Sequence, residues 1–306
     1  MAFVRKKRKG DRTYYELVES RKVAGRVVQK VLKYLGSEET AISYAKAHGI
    51  KPPKPEKGLV EGGLARRIEE KLSKLNSRRP LPAPTLESLR KKFEVEMTYH
   101  SNAIEGNKLT LRETDLIINK GMTIGGHPLR EHLEATNHKE ALDLLHQIIS
   151  AKRQTTEMDI LNLHAVILDK IRPEWAGFYR HSQVYITGTR HIPPNWKTVP
   201  ELMKGVVAEI NSRARRIAAL ESAVKVHYKV AEIHPFFDGN GRLARLLMNL
   251  RLMRSGFPPT ILRKQERRGY YAALEAGNRE NLKPLANLIA RDVERALDLY
   301  NLSAAD

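Results

Sequence analysis

Nine consecutive residues, His234-Pro235-Phe236-Phe237-Asp238-Gly239-Asn240-Gly241-Arg242, set an imidazole, a carboxylate, a Gly-Asn-Gly turn and a guanidinium side by side. An apolar-periodic helix, Leu243 to Leu252, follows at once. Gly239-Asn240-Gly241 permits positive φ and turns successive backbone N–H groups to one side, as in an anion nest. The helix behind it aims its N-terminal dipole at the same point, so phosphate is the natural guest. Arg242 and Arg245 stand i and i+3 on that helix's first turn, within reach of phosphate oxygens. Asp238 offers a hard oxygen of the kind Mg2+ takes together with phosphate. His234, with an ordinary pKa of about 6.5, suits a general base near neutrality. No serine neighbours His234 and the chain has no cysteine, so the attacking hydroxyl must come from a substrate.

The elements that carry these residues are mostly helical. Leu64, Ile68, Leu72 and Leu75 mark one amphipathic helix. Pro80, Pro82 and Pro84 interrupt the chain, and a long helix runs from about Leu86 towards Ile104. Thr110-Leu111-Arg112-Glu113 reads as a capping box, with Gly121 as the stop. Further helices are expected near 130–151, 157–171, 198–212, 214–233, 241–254, 266–277 and 281–300. One segment resists this reading. Gly177 to Pro194, with Gln183-Val184-Tyr185-Ile186 and a Thr187-Gly188-Thr189 turn, reads as a β-hairpin flap. Its use would be to add backbone groups to an extended peptide.

The first fifty residues differ. Tyr14 to Glu19 and Arg26 to Tyr34 are β-prone, Ser20 to Gly25 reads as the turn between them, and Ser37 opens a short helix ending near Gly49. Lys51-Pro52-Pro53-Lys54-Pro55 is a stiff linker. The expected division is therefore 1–50, a small basic β-hairpin plus helix module; 51–62, a linker; 63–125, a helical region; and 126–306, a helical core. The start resembles the basic N-terminal segment of some archaeal and transposase-like proteins. Residues 1–56 hold fourteen Lys/Arg and six Asp/Glu, within a net charge of +19 for the 306-residue chain. That balance favours nucleic acid, nucleotides or acidic partners. No apolar run is long enough to span a membrane, no secretory h-region follows the basic start, and the lack of cysteine fits a cytoplasmic protein. No Walker A sequence is present. His132, His138, His164 and His227 read as structural histidines.

The stretch from His234 through Arg242 to Arg245 resembles the signature of the Fic family, His-Pro-Phe-x-Asp/Glu-Gly-Asn-Gly-Arg-x-x-Arg, at every position. Ser101-Asn102-Ala103-Ile104-Glu105-Gly106-Asn107 resembles that family's inhibitory motif, in the class that carries it N-terminal to the core. Gly177-Phe178-Tyr179-Arg180 and Tyr270-Tyr271 with Leu274 extend the resemblance over about residues 60–300. It implies a mainly α fold with a helical-bundle core and β-hairpin flap. It implies protein AMP transfer from ATP, with Mg2+ or Mn2+, to a Ser, Thr or Tyr hydroxyl of a target protein. Carried over residue by residue, His234 is the base and Phe237, Asp238, Gly239, Asn240, Gly241, Arg242 and Arg245 hold phosphate. Asp238 also holds metal, and Gln183, Val184, Tyr185 and Ile186 form the flap. Ser101, Glu105, Gly106 and Asn107 belong to the inhibitory motif, in which Glu105 pairs with Arg245 in place of the ATP γ-phosphate. Tyr271 and Asn278 fall in the adenine region, where Gly-Asp is the commoner family pattern. Three alternatives stay open: removal of AMP from a modified protein, transfer of another nucleotide or phosphate-containing group, and a nucleic-acid-binding regulator, through residues 1–56, with a nucleotide-sensing core. Family members often form homodimers; nothing in these residues marks such a surface.

Overall fold

The computed structural model describes residues 2–9, 12–23, 26–36, 38–52 and 58–304. Its backbone divides into two units, Met1–Arg66 and Arg67–Asp306, a coarser partition than the four segments expected.

The first unit is a three-stranded antiparallel sheet, β1 (Ala2–Lys9), β2 (Arg12–Val23) and β3 (Arg26–Gly36), in that spatial order, followed by α1 (Glu38–Ala47). Tyr15 and Leu17 of β2, two apart and hence on one face, pack with Leu35 and with Ala41 of α1; Ala2, Val4, Tyr44 and Ile50 close around them. The sheet corrects the expected two-stranded hairpin. β1 escaped notice because its inward residues, Ala2 and Val4, lie in a basic run whose later positions carry no apolar alternation. β1 pairs from Ala2↔Glu19 to Lys9↔Arg12, and irregularities at Tyr15/Glu16 and Leu17/Val18 interrupt the β2–β3 register. The expected turn residues Ala24 and Gly25, the helix opener Ser37 and the linker's residues 53–57 lie outside the described residues.

The helices that follow are α2 (Gly62–Ser77), α3 (Ala83–Glu105), α4 (Leu111–Lys120), α5 (Leu129–Ser150), α6 (Glu157–Leu168), α7 (Val199–Ile210), α8 (Arg216–Ile233), α9 (Asn240–Arg254), α10 (Arg267–Gly277) and α11 (Lys283–Ser303). α2 lies along α11, where Glu294 meets Arg67 at 2.7 Å and Lys71 at 2.9 Å. These part-exposed pairs are worth about 0–1 kcal/mol each. Ile68, Leu72 and Leu75, all buried, contribute roughly 2 kcal/mol apiece, so apolar burial decides the packing. α3 starts three residues before Leu86 because Pro84 suits a first helical turn. α4 carries the expected capping box, and Gly121 ends it in the left-handed conformation.

α9 is the central helix. Every residue from Asn240 to Leu252 except Gly241 is buried, including Arg242, Arg245, Asn249 and Arg251. A helix apolar on most of its circumference must sit inside a bundle, and α3, α5, α6, α7 and α8 surround it.

The segment from Gly177 to Pro194 corrects a second expectation, since no strand forms in it. It is an extended loop turning at Thr187–Gly188, with Gly188 at φ 85°. Side chains, not a partner strand, hold its arms. Gln183 donates to the Pro193 carbonyl at 3.0 Å, and Arg180 donates to the carbonyls of Ser182 and Pro194. Pro193 and Pro194 have no N–H to give to a ladder, and a lone hairpin is marginal in any case.

Candidate active site

The motif loop is bracketed by two left-handed residues. His234 ends α8 at φ 49°, ψ 60°, and Gly239 starts α9 at φ 78°. Glycine adopts this conformation freely; histidine does so only when its surroundings impose it. Here Arg180 imposes it. Only 1% exposed, Arg180 donates through Nε to the His234 carbonyl at 2.9 Å, and its backbone N–H donates to the Pro235 carbonyl at 2.9 Å. From within, Asn240 closes the loop. Its Oδ1 accepts from Phe236 N–H at 3.0 Å and its Nδ2 donates to the Phe236 carbonyl at 2.8 Å.

His164 supports the same loop. Its ring stacks on Phe236 with centroids 3.5 Å apart. Gly177 N–H donates to Nδ1 at 3.0 Å, so Nε2 carries the proton and donates to the Asp238 carbonyl, also at 3.0 Å. Burial pushes its pKa down to about 4, which keeps the ring neutral at pH 7. Phe237 packs its ring against Trp175 and His181. His227 stays in the core, 3.1 Å from the Tyr270 hydroxyl, as expected of a structural histidine.

His234 faces a cavity of about 780 Å3 that it shares with Glu105, Asn240, Gly241, Ile186, Tyr271 and Asn278. Burial pushes the pKa of His234 down to about 4, and Arg180 and His191 act in the same direction. A hydrogen bond to the Ala231 backbone and the Glu105 carboxylate oppose them. The ring is therefore neutral at pH 7 and able to accept a proton.

Arg245 and Glu105 meet across the α9–α3 interface. Arg245, 5% exposed, donates to Glu105 Oε1 at 2.8 Å, to Ser101 Oγ at 2.9 Å and to the Ser101 carbonyl at 2.9 Å. Glu105 is the last residue of α3. Gly106 at φ 109° ends the helix there, and Asn107 anchors the exit by donating to the Glu131 carbonyl at 3.1 Å and to Glu134 at 2.9 Å. The Glu105 carboxylate lies so close to Gly241 that a Cβ there would overlap Oε1. An acidic group thus sits on the first turn of α9, where an anion is favoured by the helix dipole.

Asp238 is the carboxylate of the loop. Its Oδ1 accepts from Gly239 N–H at 2.6 Å and from Arg242 at 3.3 Å, while Oδ2 accepts from Arg130 at 3.1 Å. Among the described residues no cluster of three or more His, Asp or Glu forms a metal cage. One carboxylate beside a phosphate nest suits Mg2+, which keeps most of its shell for phosphate and water. Tyr271 reaches the Ile104 carbonyl at 3.4 Å and stacks under Arg267, and Asn278 accepts from Tyr228 at 3.2 Å. Four supporting residues, His164, Trp175, Arg130 and Glu134, have no recognisable spacing relative to the motif. Arg180 was visible only as part of Gly177-Phe178-Tyr179-Arg180.

Residues 154–252 match the profile of the Fic/DOC family. Protein adenylyltransferase Fic of Nematostella vectensis is 39% identical over 238 residues, covering 76% of this chain and 55% of the relative. The solved structure of Fic-1 (residues 134–508) from C. elegans superposes with a TM-score of 0.71 at 34% identity, covering 78% of this chain and 70% of that one. The chain belongs to the Fic/DOC family. A Fic-domain signalling protein of Bacteroides thetaiotaomicron superposes at TM-score 0.72 with 28% identity, covering 78% of this chain and 98% of that one. The chain spans about half the length of the curated Fic relatives it matches. Outside the Fic core, residues 2–51 match the N-terminal domain of IS1634 family transposases.

Proposed function

We propose that this Fic-family chain is a protein adenylyltransferase held off by its own Glu105. The observation that carries the reading is the Glu105 carboxylate bonded to Arg245 and pressed against Gly241, inside the cavity that contains His234. A carboxylate on that arginine and that helix turn marks where a phosphate would sit.

In the reaction, ATP lays its phosphates along the first turn of α9 and the loop before it, with Arg242 and Arg245 as cationic partners. Tyr271 and Asn278 border the part of the cavity left for the base. A Ser, Thr or Tyr hydroxyl of a target protein attacks the α-phosphorus. The new ester bond forms as the bond to pyrophosphate breaks, and neutral His234 takes the hydroxyl proton. The polyphosphate's negative charge raises the basicity of His234 in the complex. A magnesium ion held by Asp238 would supply charge neutralisation on the phosphates. The chain's own contribution is positioning and a preset electrostatic field. Ile186 and the Thr187–Thr189 turn border the cavity where the acceptor enters, and Tyr185 beside them is 78% exposed.

The test compares purified wild type, Glu105→Gly and His234→Ala with labelled ATP and Mg2+. Glu105→Gly should raise incorporation about tenfold or more, the size of a 1–3 kcal/mol coupling, and His234→Ala should abolish it. Equal, undetectable label on folded wild type and Glu105→Gly would sink the proposal. Release of AMP from a pre-modified target by wild type but not by Glu105→Gly would assign the reverse reaction instead.

The N-terminal unit supports a second role. Lys7, Lys22, Lys30 and Lys33 are exposed on its sheet, Tyr34 is 65% exposed beside Tyr14, and the unit matches a transposase N-terminal domain. Binding of nucleic acid through phosphate contacts should weaken steeply with salt and vanish on deleting residues 1–56. Salt-independent or absent binding would reject that role.

A further inference from the structure

The Glu105–Arg245 pair blocks the anion side of the site. On the other side of the site, Asp238 is met by a residue of α5. Asp238, the carboxylate proposed above to hold Mg2+, has both oxygens engaged. Its Oδ1 is held by the Gly239 N–H and by Arg242, a side chain only 3% exposed. Its Oδ2 is held by Arg130 at 3.1 Å, and Arg130 is half exposed, with open solvent to swing into.

We infer that Arg130 is a removable plug on Asp238, its guanidinium standing where the divalent cation would bind. The inference rests on the reading of Asp238 as the cation ligand. The resting site then carries a counterfeit of both charges of a metal–nucleotide: a carboxylate on Arg245 for the phosphate and a guanidinium on Asp238 for the metal. Each must go before the true ligand can enter.

The two blocks share an anchor. Arg130 donates through Nε to Glu134 Oε1 at 3.0 Å, and Glu134 Oε2 accepts from Asn107 at 2.9 Å. Asn107 stands two residues after Glu105, on the exit from α3. A shift of that exit which lifts Glu105 from Arg245 also loosens Glu134, and with it the aim of Arg130. Arg130 is accordingly a positioning residue and touches no reacting atom.

The test reads metal binding and not turnover. Mn2+ is titrated into the Glu105→Gly chain saturated with a non-hydrolysable ATP analogue, and free Mn2+ is counted by its paramagnetic resonance signal. The same titration is run with Arg130→Ala, Arg130→Lys and Asp238→Asn added singly. Arg130→Ala should tighten Mn2+ by about threefold, the scale of a half-exposed ion pair removed as competitor. Arg130→Lys, which keeps the charge, should stay near the parent value, and Asp238→Asn should lose most of the affinity. A residue of merely structural importance would weaken binding when truncated, so unchanged or weaker Mn2+ binding in Arg130→Ala overturns the inference while leaving Asp238's role intact. Unchanged binding in Asp238→Asn overturns the reading of Asp238 and the inference together. Unfolding temperatures of the four chains, expected to agree closely, show that each titration samples folded protein.

Discussion

His234, the proposed base, departs from the simplest picture of such a histidine. An exposed imidazole would be half protonated near pH 6.5, whereas burial pushes this one to about 4. The group must be neutral to accept the proton, so activity is retained above its folded pKa and lost as pH falls through it. We expect kcat/KM of Glu105→Gly to be level between pH 6 and 8, with an acid limb well below 6.5 in the free enzyme. An acid limb at 6.5 or above would contradict the burial argument. The strained backbone of His234 adds a second expectation. Asparagine tolerates the left-handed region better than most residues. His234→Asn should therefore be inactive yet unfold within about 0.5 kcal/mol of wild type. His234→Ala should lose roughly 1 kcal/mol more. Denaturant titration of the two proteins separates the cost of strain from the loss of the base.

Between the elements, Arg180 is the joint. It ties the end of α8 to both arms of the Gly177–Pro194 loop through backbone carbonyls alone, with no carboxylate partner among its hydrogen bonds. Such a fork cannot be copied by a point charge. Arg180→Ala and Arg180→Lys should both cost about 3 kcal/mol or more of stability. Both should also lower the proposed AMP transfer by over about tenfold, since misplacing a base by even 1 Å is expensive. Rescue by lysine would show that charge, not geometry, holds the loop. The cap of α4 offers a contrast. Thr110 accepts from Glu113 N–H at 3.2 Å and Glu113 reaches back to Thr110 N–H at 2.7 Å, on the surface. Thr110→Ala should cost about 1 kcal/mol of stability and leave the proposed control by Glu105 unchanged.

For the molecule as a whole, burial of histidine sets the response to acid. His138 and His227 are pushed down to about 3, and His100, His164 and His234 to about 4, each chiefly by desolvation. Their folded pKa values lie below the unfolded value of about 6.5, so the unfolded chain binds more protons between pH 6.5 and 4, and stability falls as pH falls through that window. Asp292, buried and raised to about 7, runs the other way and offsets part of the loss. His146 is lowered by burial as well, and these imidazoles against one carboxyl leave a net loss on the order of several kcal/mol. The unfolding temperature should drop markedly between pH 7 and 4.5, above the ordinary carboxylate range. A flat profile there would mean that these imidazoles are accessible to water in the folded state.

The motif from His234 to Arg245, the Glu105 motif and the seven helices of the core were all legible in the chain, because each is a local pattern: a turn composition, a cap or an apolar period. The strand β1 was not, since its apolar residues are too few to alternate visibly against the basic run. The flap reads as a hairpin from its β-prone residues but forms none, since Pro193 and Pro194 offer no N–H to a ladder. Tyr271 and Asn278, which the family resemblance alone points to, both line the cavity of His234. What no local pattern could contain was the set of residues that meet only after folding. His164, Arg180 and Arg130 come from three segments and converge on one six-residue loop, and Glu134 steadies Arg130 there. Charge and spacing named the groups that could do chemistry. Which carboxylate sits on which guanidinium was decided by helix packing, because an ion pair across 140 residues has no sequence period.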